Sequence, residues 1–285
     1  MTGQEMLLWV ALVPVAVLLL AWLLGTRYIP HNRVGVIEKM WSWKGSLQGG
    51  RLIAVEGEAG FEARILRGGL HGFYFPWQYR IHKVPLVVVS EGKIAYVYAR
   101  DGSPLPPIQT LGRTVSCNHF QDAAAFLAGG GQRGRQRAFL REGVFALNLA
   151  LFAVITEEGV FAGPLRDSEA SKYADWHRQL QAIGGFDPVI VGHGGRSRAD
   201  KEEPTVPAES RLTSHDNIGV VTVHDGPPID SSEIIAPEVR PKAGERDHNY
   251  FQDCEAFLTL GGRRGKQLQV LTDGTFFVNR WFATV

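Results

Sequence analysis

The sequence predicts a β-rich α+β fold in which one N-terminal transmembrane helix precedes tandem small β modules with short helices. Three observations predict it: an uncharged apolar run at residues 7–24, short apolar runs separated by turn residues, and an internal repeat. A chain of 285 residues with 45% hydrophobic residues allows about two domains, each large enough to bury its own core. The formal net charge of +1 argues against a strongly electrostatic nucleic-acid binder, so we expect no nucleic acid among the partners.

The apolar run predicts a membrane anchor. A helix over residues 7–24 spans about 27 Å, which is close to the hydrocarbon thickness of a bilayer. Tryptophan near either end and one proline are compatible with a lipid-spanning helix. The alternative is a cleaved signal peptide, but no basic residue precedes the run and no A-x-A-like site follows it. The residues assigned to the anchor are Leu7, Trp9, Pro14, Trp22 and Leu24.

The charged residues on either side of the run predict its orientation. Glu5 is the only charged residue before it, and four basic residues follow it, namely Arg27, Arg33, Lys39 and Lys44. The positive-inside rule then predicts a single-pass protein of the cell (inner) membrane with its N-terminus outside and its C-terminal bulk in the cytoplasm. The two cysteines are too few for a disulfide framework, which fits a reducing compartment.

Short strands and one longer helix are expected after the anchor. Strand-like runs bounded by turn residues occur at residues 34–37, 51–55, 73–75, 84–89 and 94–98. A helix is expected to begin at Asp167 or Ser168 and to end near Ile183, with one apolar face formed by Tyr173, Trp176, Leu180 and Ile183. The polar, charged segment at residues 192–216 predicts a mobile loop.

An internal repeat is the strongest feature of the sequence. Residues 118–148 recur without a gap as residues 249–279, sharing the motifs Phe-Gln-Asp, Ala-Phe-Leu and Gly-Gly. Upstream, each copy has a strand-like run and an Asp-Gly turn. A fainter copy of the module edges lies nearer the N-terminus, where residues 34–37 resemble the opening strand and residues 66–69 followed by Phe73 resemble the closing Leu-x-x-Gly turn. The pattern predicts three tandem modules, the first shorter. Asp122 and Asp253 are expected to cap a short helix that the following glycine pair ends.

These features divide the chain into five predicted parts. They are the anchor at 1–28, a first β module at 29–92, a second module with the Phe-Gln-Asp repeat at 93–160, a helix plus polar loop at 161–216, and a third module with the repeat at 217–285.

No residue is expected to carry catalysis or to bind a cofactor or a metal. The glycines at 129, 131 and 134 match a dinucleotide fingerprint, but the second copy has Leu260 at the first of these positions, and both runs follow a helical pattern instead of a strand. The histidines and cysteines lack metal-ligand spacing. An anchored hydrolase is a remote alternative, because the His193-Gly-Gly sequence is similar to an oxyanion loop while no G-x-S-x-G motif exists.

Basic residues in the repeated turns are candidates for contact with anionic lipid or a partner protein: Arg133, Arg135, Arg263, Arg264 and Lys266. The simpler interpretation is that these residues, together with Arg137 and Arg141, lie in solvated turns without a binding role. Aromatic residues also cluster after the anchor, at Trp41, Trp43, Tyr79 and residues 73–77. We expect most of them in a core, with a surface at the membrane interface as the alternative.

Two stretches resemble the start of the band 7 family, also called SPFH, which includes stomatins, prohibitins and flotillins. They are residues 29–37, Ile-Pro-His-Asn-Arg-Val-Gly-Val-Ile, and residues 66–77, Leu-Arg-Gly-Gly-Leu-His-Gly-Phe-Tyr-Phe-Pro-Trp. The Phe-Gln-Asp modules resemble those of large bacterial flotillin-like proteins, so the similarity covers essentially the whole chain. It implies an SPFH-like fold and a non-enzymatic membrane scaffold that self-associates and organises membrane domains or assemblies, with a membrane protease or another membrane protein as a further partner.

One departure from the family concerns its C-terminal part. Family members usually carry a long Ala/Glu-rich helical region after the SPFH part, and this sequence ends on the last module, which makes a truncated or split member an expectation. The alternative function is a membrane-anchored binding module that captures a partner protein or anionic lipid through its repeats.

Overall fold

The computed structural model describes residues 12–20, 22, 24–163, 167–192 and 217–285. Strands predominate over helices in this part of the chain, which confirms the β-rich α+β class. Residues 12–20 and 22 of the expected anchor are helical, whereas Leu7 and Trp9 lie outside the described residues. Among the residues that are described, no helix has both the length and the apolar character needed to cross a bilayer.

Three sheets, each built around three antiparallel strands in the same order, follow one another along the chain. We call the segments that build them the first, second and third modules. In each, an opening strand lies between a second strand and a closing strand. The opening strands are β2 (Arg33–Lys39), β8 (Ala95–Ala99) and β14 (Gly219–Val223). The second strands are β4 (Gly60–Leu66), β9 (Gly134–Leu140) and β15 (Gly265–Leu271). The closing strands are β6 (Tyr79–Pro85), β11 (Phe152–Ile155) and β17 (Ala283–Thr284).

A two-stranded antiparallel sheet accompanies each larger sheet. The pairs are β1 (Arg27–Ile29) with β5 (Gly69–His71), β7 (Val87–Val89) with β10 (Gly143–Phe145), and β13 (Val189–Val191) with β16 (Gly274–Phe276). The chain passes from the larger to the smaller sheet at a glycine whose φ is +135° to +143°, at Gly69, Gly143 and Gly274. Residues other than glycine rarely adopt this backbone conformation, which explains why a glycine recurs at this position.

Two further short strands extend the larger sheets. Strand β3 (Ile53–Ala54) runs parallel to β4, and β12 (Val160–Phe161) pairs with β11. The strand expected at residues 84–89 is two strands, since β6 ends at Pro85, which has no N–H to continue the ladder. The strand expected at residues 51–55 is reduced to β3.

The prediction of a strand at residues 73–75 is wrong. Phe73 has a φ of +66°, outside the strand region. Its amide donates to the carbonyl of Leu24 at 2.9 Å, and the amide of Tyr74 donates to the carbonyl of Gly25 at 3.0 Å. These backbone groups therefore join the loop to the end of the N-terminal apolar segment and form no sheet ladder.

Two short helices follow the predicted capping pattern. They are α1 (Ala123–Ala128) and α3 (Cys254–Thr259). The carboxylate of Asp122 accepts from the amide of Ala125 at 2.9 Å, and that of Asp253 accepts from two amides of α3. A glycine with positive φ follows each helix, at Gly130 and Gly261, and completes the expected stop.

The longer helix α2 (Asp167–Ala182) confirms the predicted helix between the second and third modules. Tyr173 and Leu180 are buried, and the ring of Trp176 packs 5.3 Å from that of Tyr98 on β8. Ile183, predicted on the same face, is exposed because the helix ends at residue 182 and the chain turns away. The loop expected at residues 192–216 lies outside the described residues from residue 193 onward.

Candidate functional site

An aspartate in each Asp-Gly turn binds the backbone of the preceding module. The Oδ2 atom of Asp101 accepts from the amides of Leu52 and Ile53 at 2.7 and 2.8 Å. The Oδ1 atom of Asp225 accepts from the amide and the hydroxyl of Thr110 at 2.8 and 2.9 Å. Both aspartates are buried. Hydrogen bonds to a charged acceptor are stronger than neutral ones, so each aspartate fixes the position of one module on the next.

An asparagine provides the second polar link at each contact. The Nδ2 atom of Asn148 donates to the carbonyls of Glu62 and Ala63 at 2.8 and 3.0 Å. The Nδ2 atom of Asn279 donates to the carbonyls of Gln136 and Arg137 at 3.1 and 2.8 Å. In both cases the carbonyls lie where the register of the second strand shifts against the opening strand. Such an irregularity leaves backbone carbonyls without a partner in the sheet, and the asparagine amide donates to them.

An apolar residue from each preceding module completes the contact. Ile53 of the first module belongs to the buried core of the second, and Leu111 of the second module belongs to the buried core of the third. Their side chains are 1% and 2% exposed. The modules are therefore joined by shared cores as well as by hydrogen bonds. We call the four residues that make these hydrogen bonds, Asp101, Asn148, Asp225 and Asn279, the docking residues.

Arg137 strengthens the contact between the second and third modules. Its Nε atom lies 3.0 Å from Oδ2 of Asp225, and its Nη1 atom lies 3.1 Å from Oε2 of Glu255. The prediction that Arg137 lies in a solvated turn is wrong, because the residue is buried. The neighbouring Arg141 has its guanidinium 3.4 Å from the ring centroid of Phe277, so it also contacts the third module.

The first module has aromatic residues at both docking positions. The amide of Met40 donates to the closing turn as those of Arg100 and His224 do, so the next residue, Trp41, corresponds to the two docking aspartates. The carbonyl of Phe75 accepts from the amides three and four residues later, as the carbonyls of the docking asparagines do. Trp41 and Phe75 cannot supply a carboxylate or an amide, so this end of the first module lacks the docking chemistry.

These two residues belong to a cluster that we call the aromatic end: Trp41, Trp43, Phe75 and Trp77. The rings of Phe75 and Trp77 stack at 5.0 Å, and those of Trp41 and Trp43 meet edge to face at 5.8 Å. The indole N–H of Trp41 donates to the carbonyl of Trp77 at 3.0 Å. Trp43 is 95% exposed, and Trp41 and Trp77 are also exposed. The prediction that most of the aromatic residues after the anchor lie in a core is therefore wrong, because the three tryptophans and Phe73 are exposed.

The aromatic end lies beside the end of the apolar segment. Phe73, whose amide binds the carbonyl of Leu24, begins the loop that also carries Phe75 and Trp77, and its side chain is exposed. Tyr74 and Tyr79 differ from their neighbours, since both pack against a small core formed by Ile29, Ile37 and Leu66. The loop thus fixes the apolar segment to the first module while it presents aromatic side chains to the surroundings.

The basic residues of the repeated turns lie in different environments. Arg133, Arg264 and Lys266 are exposed. Arg263 is half-buried, and its Nη1 atom lies 2.5 Å from Oδ2 of Asp230 and 3.5 Å from Oε2 of Glu233. Opposite charge beside Arg263 reduces its attraction for an anionic headgroup.

Arg135 is packed between two indoles. Its guanidinium carbon lies 4.3 Å from the ring centroid of Trp176 on α2 and 5.1 Å from that of Trp281 in the third module. Burial in this setting lowers the pKa of the Arg135 guanidinium from its ordinary value. Arginine stays charged nonetheless, so the contact is a cation–π interaction that fixes α2.

The cysteines and histidines considered in the sequence analysis are buried, are hydrogen-bonded or lie outside the described residues. Cys117 and Cys254 are buried, and burial raises the pKa of both thiols. His248, which aligns with Cys117 in the repeat, accepts at Nδ1 from the amide of Phe251 at 3.0 Å. His193 lies outside the described residues. Within the described ranges, no three His, Cys, Asp or Glu side chains are grouped as metal ligands would be.

Sequence reasoning missed the docking residues, although the repeat contained the signal for them. Asn148 and Asn279 are identical polar residues in a mostly apolar part of the repeat, and both Asp-Gly turns are shared. No protein-family model, curated protein or solved structure matches this chain.

Proposed function

We propose that the chain is a single-pass membrane-anchored scaffold of the band 7 type, which organises membrane domains or membrane protein assemblies. The aromatic end of the first module lies at the headgroup level, and the second and third modules extend from it on the cytoplasmic side. The replacement of both docking residues by Trp41 and Phe75 is the observation that carries the proposal. The end that in the other modules binds protein is here covered with indole rings, which favour the membrane interface.

The apolar segment supports the same arrangement. Residues 12–20 are helical, and every one of them exposes its side chain. Exposed apolar residues all round a helix are unfavourable in water and favourable in lipid. The end of this segment is hydrogen-bonded to the loop of the aromatic end, so both features meet the bilayer together.

A scaffold is favoured over an enzyme by the use of the buried polar groups. The buried aspartates, asparagines and Arg137 bind neighbouring modules. Their hydrogen-bonding groups are therefore used within the protein and are not directed at a substrate. Non-enzymatic organisation of a membrane assembly requires surfaces and rigidity, and joined cores supply the rigidity.

Depth-dependent quenching tests the membrane contact. The full chain is reconstituted in phosphatidylcholine vesicles whose lipids carry bromine near the headgroup, and tryptophan quenching is compared with that of Trp43→Phe and Trp77→Phe. Each substitution removes part of the quenched fluorescence if the aromatic end lies in the interface. The matched control is Trp176→Phe, whose ring packs on Tyr98 and should not be quenched. Equal quenching in all four proteins argues against the contact.

Particle size tests the scaffold. Detergent-extracted full chain analysed by sedimentation should form a stable homo-oligomer, and a strictly monomeric particle counts heavily against scaffolding. The alternative, a binding module for anionic lipid or a partner protein, depends on the basic residues, of which Arg133, Arg264 and Lys266 are exposed.

A further inference from the structure

The third module carries the same docking face that the first and second modules use. In each module a short segment runs parallel to the second strand: Ala54 pairs with Glu62, Gly112 with Gln136, and Ala236 with Gln267. The amides of Gly112 and Ala236 donate to the second strand at 2.7 and 2.8 Å. Ile235, which precedes Ala236, therefore corresponds to Ile53 and Leu111.

The second strand of the third module has the same irregularity as the other two. The pairing of β14 with β15 shifts between Val220 and Thr222, which places residues 267–269 opposite a single residue. The equivalent shifts in β4 and β9 contain the carbonyls that the docking asparagines bind. The carbonyls of Gln267 and Leu268 thus correspond to two pairs of acceptors that are occupied by the next module.

The apolar side chains of this face are exposed. Ile235 is 47% exposed, whereas Ile53 and Leu111 are almost completely buried in the core of the module that follows them. Leu268 is 62% exposed, whereas Arg137 at the equivalent position is 8% exposed. The third module therefore leaves exposed the apolar residue that the first and second modules bury in the module that follows them. This residue lies beside backbone carbonyls that correspond to those bound by the docking asparagines.

We propose that this face, formed by Ile234, Ile235 and Leu268 with the carbonyls of residues 267 and 268, binds a β module that has an aspartate in its Asp-Gly turn and an asparagine in its closing turn. The aspartate accepts from the amides of Ile234 and Ile235, the asparagine donates to the two carbonyls, and Ile235 enters the core of the partner module. The two contacts between modules inside the chain define this chemistry.

The free end of a second copy does not meet these requirements. Its first module has Trp41 and Phe75 at the docking positions, and its other two modules are already docked internally.

Leu268 indicates which of the two contacts inside the chain the proposed contact resembles. The first contact has the apolar Ala63 at that position, so the partner module needs no acidic residue equivalent to Glu255.

The experiment uses the full chain with a reporter thiol, Ile235→Cys. The protein is compared with a version extended after Val285 by a copy of residues 82–285, which continues the closing strand in register and supplies a second and a third module with the contacts between them. Docking should slow alkylation of the thiol at least about tenfold. Alanine at the copied positions of Asp101 and Asn148 should restore the original rate. An Ile190→Cys reporter, exposed on β13 and not among the residues that define the face, should label equally fast in all versions.

Three outcomes would overturn the proposal. The first is an unchanged alkylation rate in the extended chain. The second is an appended copy that stays protease-sensitive, because the same two modules fold together on the equivalent face of the first module. The third is protection of the thiol in the unextended chain that rises with protein concentration, which would assign the face to a contact between copies.

Discussion

The guanidinium of Arg137 lies 3.0 Å from the carboxylate of Asp225, and both side chains are buried where the second and third modules meet. The same carboxylate also accepts from Thr110, so a single side chain of the third module binds two elements of the second. Removal of Arg137 leaves the fully buried Asp225 carboxylate without a charged partner, and removal of Asp225 leaves Arg137 with only the partly exposed Glu255.

We expect Asp225→Ala to lower the free energy of unfolding by about 3–5 kcal/mol, the usual effect of removing one partner of a buried ion pair. Urea unfolding followed by circular dichroism measures it. Asp230→Ala is the matched control, since Asp230 also pairs with an arginine but is exposed and should change stability little. Similar losses for the two variants would contradict the assignment of Asp225 to a buried contact.

The docking asparagines offer a second test. Asn148→Leu removes the two donors to the carbonyls of Glu62 and Ala63, and unsatisfied buried carbonyls cost about 1–3 kcal/mol. Hydrogen exchange should become faster in strands β4 and β11, on both sides of the contact. Gln179→Ala, which removes an exposed amide from α2, should leave both stability and exchange unchanged. Exchange that rises only in the second module would show that Asn148 does not join the two.

The position of Arg135 between two indoles predicts an effect on α2. Arg135→Ala should destabilise the chain by about 1–2 kcal/mol and should accelerate hydrogen exchange in α2, because the cation–π contacts with Trp176 and Trp281 are lost. Arg135→Lys, which retains a charge near the rings, should have a smaller effect. Arg178→Ala on the exposed face of the same helix serves as the control. Unchanged exchange in Arg135→Ala would exclude a role in fixing the helix.

Charge reversal distinguishes the scaffold from a lipid-binding module. Arg133→Glu and Arg264→Glu together should leave flotation with phosphatidylserine vesicles unchanged if the apolar segment and the aromatic end attach the protein. Loss of flotation with an intact oligomer would instead favour the basic residues as the lipid contact. Glu142→Lys, which changes an exposed charge in the opposite direction, controls for net charge.

Both cysteines should resist alkylation in the folded chain. Burial raises the pKa of each thiol, so at pH 8 the reactive thiolate is less populated than in an exposed cysteine, and access is restricted as well. Iodoacetamide labelling followed by mass spectrometry should modify Cys117 and Cys254 only after denaturation. Rapid labelling of Cys254 in the native protein would contradict its place in the core of the third module.

Local rules were sufficient for some features. The capping of α1 and α3 by Asp122 and Asp253, and the span of α2, depend on residues close in sequence, and the sequence predicted them. The docking contacts join residues 48 or more positions apart, such as Ile53 with Asp101, and propensity contains no information about them. The correspondence of Trp41 with Asp101 was hidden for a related reason. It depends on equivalent backbone hydrogen bonds, not on residue identity.

The exposure of the aromatic end could not be predicted from composition. Tryptophan and phenylalanine are common in cores, and only the direction of the loop after β5 places Phe73 and Trp77 outside. That loop is directed by its hydrogen bonds to Leu24 and Gly25, in the segment that precedes the first strand.

The insertion of Ile53 into the second core and of Leu111 into the third has a consequence for synthesis on the ribosome. Each module leaves the exit tunnel after the one that supplies part of its core, so the growing chain always meets a preceding module already able to act as a template. Folding can therefore advance vectorially from the N-terminus, and each contact between modules is completed when the following module has been synthesised.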